Sequence, residues 1–258
     1  EKTDQLIEKY KRIKQGLMQD LFRYGIDGNG QIRSEKTHKF KDSLLGRIPE
    51  EWEVVELGKI SKLERGKFQH RPRNDPKFYG GRYPFIQTSE VTKANGKIKF
   101  YQQTLNDLGL KISKLFPKGI IVITIAANIG DIAVTDFEVA FPDSLVGIIV
   151  AQDVDLNFLK YFLETQKKSL NKIATESAQK NINLQILNFY PIKLPFLSEQ
   201  SRIASVLSAS DEAIEKEQSY KEKLLALKRG FMEDLLTGRV RISPDLIKKI
   251  KIIQKCNS

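Results

Sequence analysis

Apolar residues recur at Leu6, Tyr10, Ile13, Leu17 and Leu21, at spacings of four, three, four and four, with charged and amide side chains between them. That spacing predicts an amphipathic helix that stops before Gly25, with Gly28 and Gly30 opening a loop just beyond. A second helical pattern starts at Ser198, read as its N-cap, with Glu199 and Gln200 next and Arg202 opening its body. Its apolar or small positions are Ile203, Val206, Ala213, Tyr220, Leu224, Leu227, Phe231 and Leu235, and Gly238 is its stop. At ~1.5 Å per residue, about 39 residues would make a rod on the order of 58 Å long, more than a small globule can cover. Between the helices the period shortens. Strands are predicted at Trp52–Leu57, Ile60–Glu64, Tyr83–Gln87, Gly119–Ile125, Ile132–Thr135 and Gly147–Val150, with Ile182–Leu187 and Tyr190–Leu194 as further candidates. One helix is predicted within this region, Asn157–Asn171, with Leu156, Leu159, Phe162 and Leu163 turned inward.

The two flanking helices repeat one another. Lys14–Phe22 reads KQGLMQDLF and Lys228–Leu236 reads KRGFMEDLL, with Lys, Gly, Met, Asp and Leu identical at a constant offset of 214 residues. Met18 and Met232, the two methionines of the chain, both fall in the repeat. The same shift carries Leu6, Tyr10, Ile13, Leu17 and Leu21 onto Tyr220, Leu224, Leu227, Phe231 and Leu235. Leucine stripes alone are common; the shared Lys, Gly, Met and Asp argue for duplication. A stripe near the 3.5-residue period calls for a partner helix, and Ser210 and Glu217 interrupt it with polar side chains that set register or mark a stretch without a partner. The expected organisation is α+β: residues 1–26 the end of a first spacer helix, 27–40 a linker, 41–196 one mixed α/β domain, 197–238 a long coiled-coil-type helix and 239–258 a basic tail.

Composition narrows the function. With 40% apolar residues the chain can bury a core. The longest apolar run, Ile120–Ala127, is too short to span a membrane. The single cysteine, Cys256, rules out an intrachain disulfide framework and fits a reducing, cytoplasmic setting. The net charge is +11, and residues 59–99 hold eleven Lys or Arg against three Asp or Glu, a local +8. Such a cluster is either a solvated basic surface or one that neutralises phosphates and releases counterions.

Catalytic signatures are missing. The chain has no Asn/Asp-Pro-Pro-aromatic motif; Asn188-Phe189-Tyr190-Pro191 holds related letters in the wrong order. Asn128-Ile129-Gly130 reads as a turn rather than a cofactor loop, and no Walker lysine motif is present. Asp131, Asp136 and Glu138 have the spacing of nuclease carboxylates but read more simply as strand-end residues. His38 and His70 have no partner at zinc spacing, so no metal site is expected.

What remains is binding. In the segment Arg65–Arg82, a loop by composition, Arg65, Lys67, Gln69, His70, Arg71, Arg73, Lys77 and Arg82 can hold phosphates or read base edges. Gln87, Thr88 and Ser89 place three polar side chains in a row where a predicted strand ends. Lys93 and Asn128 join them as candidates, and Gln179, Lys180, Asn181 and Asn183 form a second polar loop with Ser177.

Gly46–Ile60 (GRIPEEWEVVELGKI), Tyr83–Val91 (YPFIQTSEV), Phe116–Ala133 (FPKGIIVITIAANIGDIA), Ser177–Asn183 (SAQKNIN) and above all Ile192–Leu207 (IKLPFLSEQSRIASVL) together resemble the specificity subunits of type I restriction-modification systems. The order and spacing of these words carry the resemblance over nearly the whole chain. It implies recognition domains held apart by antiparallel helices, with the loops above on the DNA-facing side. It also implies a non-catalytic chain that reads one half of a split double-stranded DNA target and docks modification (methyltransferase) and restriction subunits, where S-adenosylmethionine, ATP and magnesium would act. The family plan has two recognition domains and this sequence has one, so it is expected to be a C-terminal fragment or a half-length subunit that forms a homodimer. The alternatives are the specificity end of a fused restriction-methylation enzyme and a coiled-coil adaptor whose basic domain is merely soluble.

Overall fold

The computed structural model describes residues 2–70, 72, 74–126, 128–176 and 181–241. The chain divides into two compact units, Gln15–Ala209 and a second of Glu1–Lys14 with Ser210–Ser258, whose described residues are mostly helical and which is called the helical unit below.

The chain opens with helix α1 (Lys2–Tyr24), followed by the short strands β1 (Phe40–Lys41) and β2 (Ile48–Pro49), then β3 (Glu53–Glu56), α2 (Leu57–Ile60) and β4 (Ser61–Arg65). A 3-10 turn at Pro76–Phe78 leads into β5 (Tyr79–Phe85), α3 (Thr88–Lys93), β6 (Gly96–Ile98), β7 (Gln103–Leu105) and α4 (Asp107–Lys111). Next come β8 (Leu115–Phe116), β9 (Ile120–Thr124), β10 (Ile132–Thr135), β11 (Val139–Ala140) and β12 (Leu145–Val150). Then follow α5 (Leu156–Thr165), α6 (Lys167–Glu176), α7 (Leu184–Asn188), β13 (Pro191–Leu194) and the long α8 (Leu197–Leu236). The expected α+β class and the two flanking helices are present.

Among the described residues, the larger unit is built on a five-stranded sheet in the order β4-β12-β9-β10-β6 and a four-stranded sheet in the order β7-β5-β11-β8. The apolar run of β9 has a direct reason. Its side chains alternate between two cores: Ile121 and Ile123 join Trp52, Phe158, Phe162 and Ile203 on one face, while Ile120 and Val122 join Ile86, Phe116 and Phe141 on the other. A strand buried on both faces reads as continuous hydrophobicity rather than alternation. Gly147 in β12 is part of the same packing, because a Cβ there would meet the Phe116 ring at 2.9 Å, and Phe116 stacks on Phe141 at 4.1 Å between centroids.

Three expected elements differ. Residues 182–187 do not form a strand: Asn183 Oδ1 accepts from the Ile186 N–H at 2.8 Å and caps α7, a local bond that competes with strand pairing. The predicted helix Asn157–Asn171 is two helices that break at Gln166, where Thr165 Oγ1 turns back to the Phe162 carbonyl at 2.6 Å. Ser198 is not an N-cap. Helix α8 already includes Leu197, and the Glu199 and Gln200 N–H groups donate to the Phe196 carbonyl. Glu199 and Gln200 are themselves buried, tied to the rest of the unit by side-chain bonds.

In the helical unit, Asp4 pairs with Lys221 at 2.5 Å and Lys14 with Asp211 at 2.6 Å. As one index rises by ten the other falls by ten, so the segments are antiparallel. The inward positions are Ile7 and Ile214, both buried, with Ser210 and Glu217 half-buried on the same stripe. The expected seam is thus only partly used. Leu6 and Tyr10 are half-buried, Ile13 is exposed, and Lys14 takes the inward place beside it. Tyr220, Leu224, Leu227, Phe231 and Leu235 are all exposed, because the inward stripe of α8 follows Ser210, Ile214, Glu217 and Lys221 instead. In the larger unit Leu17 is half-buried, and Leu21 and Ile203 are buried in its main core.

Candidate nucleic-acid interface

Helix α3 displays polar side chains on a scaffold that fixes both its ends. At its start, Glu90 accepts the Gln87 backbone N–H at 3.1 Å and the Ser89 hydroxyl at 2.8 Å, while Gln87 Nε2 donates to Gln103 Oε1 at 2.6 Å. At its end, Thr92 Oγ1 donates to Asp131 Oδ2 at 2.8 Å, and Lys167 pairs with the other Asp131 oxygen. Asp131 sits in the β9–β10 turn, which Asn171 also fastens by donating to the Ile129 carbonyl at 2.7 Å. Asn128 of that turn is exposed and reaches Thr92 Oγ1 at 3.4 Å. The Ile182 N–H donates to the Ile125 carbonyl at 3.1 Å, so the segment holding Asn181 and Asn183 is joined to the same turn.

The structure therefore brings Gln87, Thr88, Ser89, Lys93, Asn128, Asn181 and Asn183 into one connected region. Ser89 and Lys93, four residues apart and both exposed, lie on the same side of α3. Gln87 and Asn183 already spend hydrogen-bonding groups on Gln103 and on the α7 cap. Arg65, exposed at the end of β4, donates to the Asp143 carbonyl at 2.6 Å.

The segment 65–82 is less loop-like than its composition suggests. It contains the 3-10 turn and the start of β5, and its aromatic residues are anchors: Phe68 and Phe78 are buried with Phe85 and Leu105 in a core of their own. Burying those rings fixes the backbone that carries the exposed Lys67, Gln69 and Lys77. Asp75 gathers His70 at 3.1 Å and Lys77 at 3.0 Å, and the Lys77 ammonium holds its carboxyl below the usual range. Arg82 donates to the Tyr83 hydroxyl at 2.8 Å, which donates to Asp107 at 3.0 Å. Lys67 and Gln69 are exposed, with backbone N–H groups bonded to the Phe141 and Ile112 carbonyls. Arg71, Arg73, Gln179 and Lys180 lie outside the described residues.

Sequence reading missed Thr92 and Lys167 and took Asp131 only as a strand-end residue, because the bonds among the three couple segments far apart in the chain and leave no local pattern. It also passed over Phe100 and Tyr101, an exposed aromatic pair following Lys97 and Lys99. Of the carboxylates with nuclease-like spacing, Asp131 pairs with Lys167 and Asp136 with Lys97 at 2.9 Å. Among the described residues no group of three or more His, Cys, Asp or Glu could hold a metal ion, and no helix is long and apolar enough to cross a membrane. A cavity of about 500 Å³ lies between α1, the 45–47 turn and α5. Its Lys193 donates to the Phe22 carbonyl at 3.2 Å and so caps the last turn of α1, a structural task.

Residues 49–226 match the family model of the type I restriction modification DNA specificity domain. The chain is 33% identical over 242 residues to a putative type I restriction enzyme MjaX specificity subunit of Methanocaldococcus jannaschii, covering 92% of this chain and 52% of that protein. It is 30% identical over 249 residues to the MjaVIII specificity subunit of the same organism, covering 92% and 55%. The chain thus spans about half the length of the curated relatives it matches. Its fold is shared with the HsdS subunit of Thermoanaerobacter tengcongensis (TM-score 0.58, 16% identity, 90% of this chain and 52% of that one). It is also shared with a type I restriction-modification S subunit from M. genitalium (TM-score 0.60, 11% identity, 89% and 54%). By the extent of the family match and the identity to these relatives, the chain belongs to the type I restriction-modification DNA specificity family.

Proposed function

We propose that this chain reads one half of a split double-stranded DNA target for a type I restriction-modification complex, acting in the cytoplasm without chemistry of its own. Its helices dock modification subunits. Methyl transfer from S-adenosylmethionine and the ATP- and magnesium-dependent steps belong to those subunits and to a restriction subunit. The observation that supports this reading best is α3. It is a short helix with exposed Ser89 and Lys93, clamped at one end by Gln103 and at the other by Asp131, beside the exposed Asn128. Side chains that discriminate bases must be carried on a backbone fixed before binding, and here α3 and the β9–β10 turn are fastened beside β9, a strand buried along its whole length.

The test is enrichment from a randomised duplex pool by the purified chain at low salt. Recovery of a short motif that Lys93→Ala no longer selects supports the reading. Binding without enrichment, or no binding, overturns it.

A further inference from the structure

Phe100 is 83% exposed, while Ile98, two residues before it, and Leu105, five residues after it, are buried. It sits on the four-residue connection between β6 and β7, and both flanks of that connection are fixed. Strand β6 is in register with β10, Ile98 opposite Thr135, and β7 with β5, Gln103 opposite Phe85. Tyr101 packs against Phe137 at 5.5 Å between ring centroids. Upstream, Asn95 and Gly96 both have positive φ, +46° and +88°, which sets the sharp entry into β6. Phe100 is therefore held outward by its neighbours.

The Gln103–Gln87 bond sets this connection beside the start of α3, next to the residues proposed to read DNA. The preceding residues Lys97 and Lys99 are cationic and outnumber the facing Asp136, with which Lys97 pairs at 2.9 Å. A protein-docking surface needs a broad apolar patch, whereas here one ring projects from a polar, cationic rim, with the smaller exposure of Tyr101 beside it. That combination matches the way proteins unstack DNA: cations on the phosphates and one apolar side chain between two bases.

We infer that Phe100 is a wedge that enters the duplex at the Gln87 end of α3 and unstacks one base step. The inference rests on the DNA-reading role proposed above, and it adds a residue whose contribution is to DNA shape. It favours steps that unstack at low cost, so it adds selectivity at a position with no hydrogen bond to a base.

The test uses the whole chain and the duplex motif it enriches, with 2-aminopurine placed at successive positions. Saturating wild-type chain is expected to raise fluorescence several-fold at one step. Phe100→Ala should abolish that rise and leave the salt dependence of binding unchanged; Phe100→Leu should retain part of it. No brightening at any position under saturating wild type, or equal brightening with Phe100→Ala, overturns the wedge while leaving base reading by α3 intact. Failure to enrich any motif overturns both, and the selection step shows that directly. Because Phe100 is exposed, Phe100→Ala is expected to unfold as wild type does, which a thermal melt checks.

Discussion

Arg33 and Glu199, 166 residues apart, form a buried two-pronged ion pair, with Nη1 to Oε1 at 2.5 Å and Nη2 to Oε2 at 3.0 Å. Glu199 Oε1 also accepts the Ile26 N–H at 2.8 Å. The pair joins the turn after α1 to the first turn of α8. Gly25 lies against it with φ +70°, where a Cβ would run into Glu199, Arg33 and Trp52 together.

Removing one member leaves the other buried with only part of its compensation: Arg33 would keep its longer contact to Glu51 at 3.8 Å, and Glu199 would keep the Ile26 N–H. Glu199→Leu or Arg33→Met is expected to destabilise the chain by about 3–5 kcal/mol. The double replacement should recover much of that loss, since neither charge is then stranded. Gly25→Ala should also be strongly destabilising, because strain and collision coincide. Urea unfolding of the four variants checks this; equal stability of the single and double variants would show that the pair does not act as a unit.

This pair also shows where sequence reading stops. The family word Ile192–Leu207 was recognisable, yet Glu199 within it passed as a helix-start residue, because its partner lies 166 positions away. The helix pattern and most strands were legible because their periods are local. Asn183 misled in the other direction: apolar Ile182, Leu184, Ile186 and Leu187 look like strand until the asparagine side chain caps a helix turn. The α3 region was legible only in part. Gln87 to Ser89 stood out as polar residues after an apolar run, but Thr92, Asp131 and Lys167 are joined only by tertiary contacts.

The exposure of the α8 stripe has a measurable consequence. Phe231→Ala, at a residue 64% exposed, is expected to change the stability of the isolated chain by about 0.5 kcal/mol or less. Leu207→Ala, at a residue with no exposure, should cost about 2–5 kcal/mol through transfer and cavity terms. A large loss from Phe231→Ala in denaturant titrations would mean that the stripe is covered in solution.

Glu64 on β4 gives a pH dependence of known sign. The Lys114 ammonium, and after it Lys62 at 2.6 Å, hold the carboxyl below its ordinary 4.5. A carboxylate with a lowered folded-state pKa contributes stability that is complete above the unfolded value and is lost as pH falls through the folded one. Wild type should therefore lose more stability than Lys114→Met between about pH 5 and pH 3, with the two curves parallel above about pH 6. Thermal melts across that range check it, and parallel curves throughout would remove Lys114 as the cause.

DNA affinity should separate the cations by how they are held. With roughly five phosphate contacts, log affinity should fall against log salt with a slope near −4.5, at about −0.9 per contact. Lys67 is exposed, so Lys67→Ala should weaken all sequences alike and flatten the slope by about one. Asp75 holds His70 and Lys77, so Asp75→Asn should do the reverse, strengthening binding to every duplex and steepening the slope. Ser89→Ala and Lys93→Ala, on the open side of α3, should cost about 1–3 kcal/mol on the selected sequence and little elsewhere. Fluorescence anisotropy of labelled duplexes at several salt concentrations distinguishes these outcomes. If Asp75→Asn leaves both affinity and slope unchanged, the segment 65–82 does not face the phosphates, and the local +8 charge is only a solvated surface.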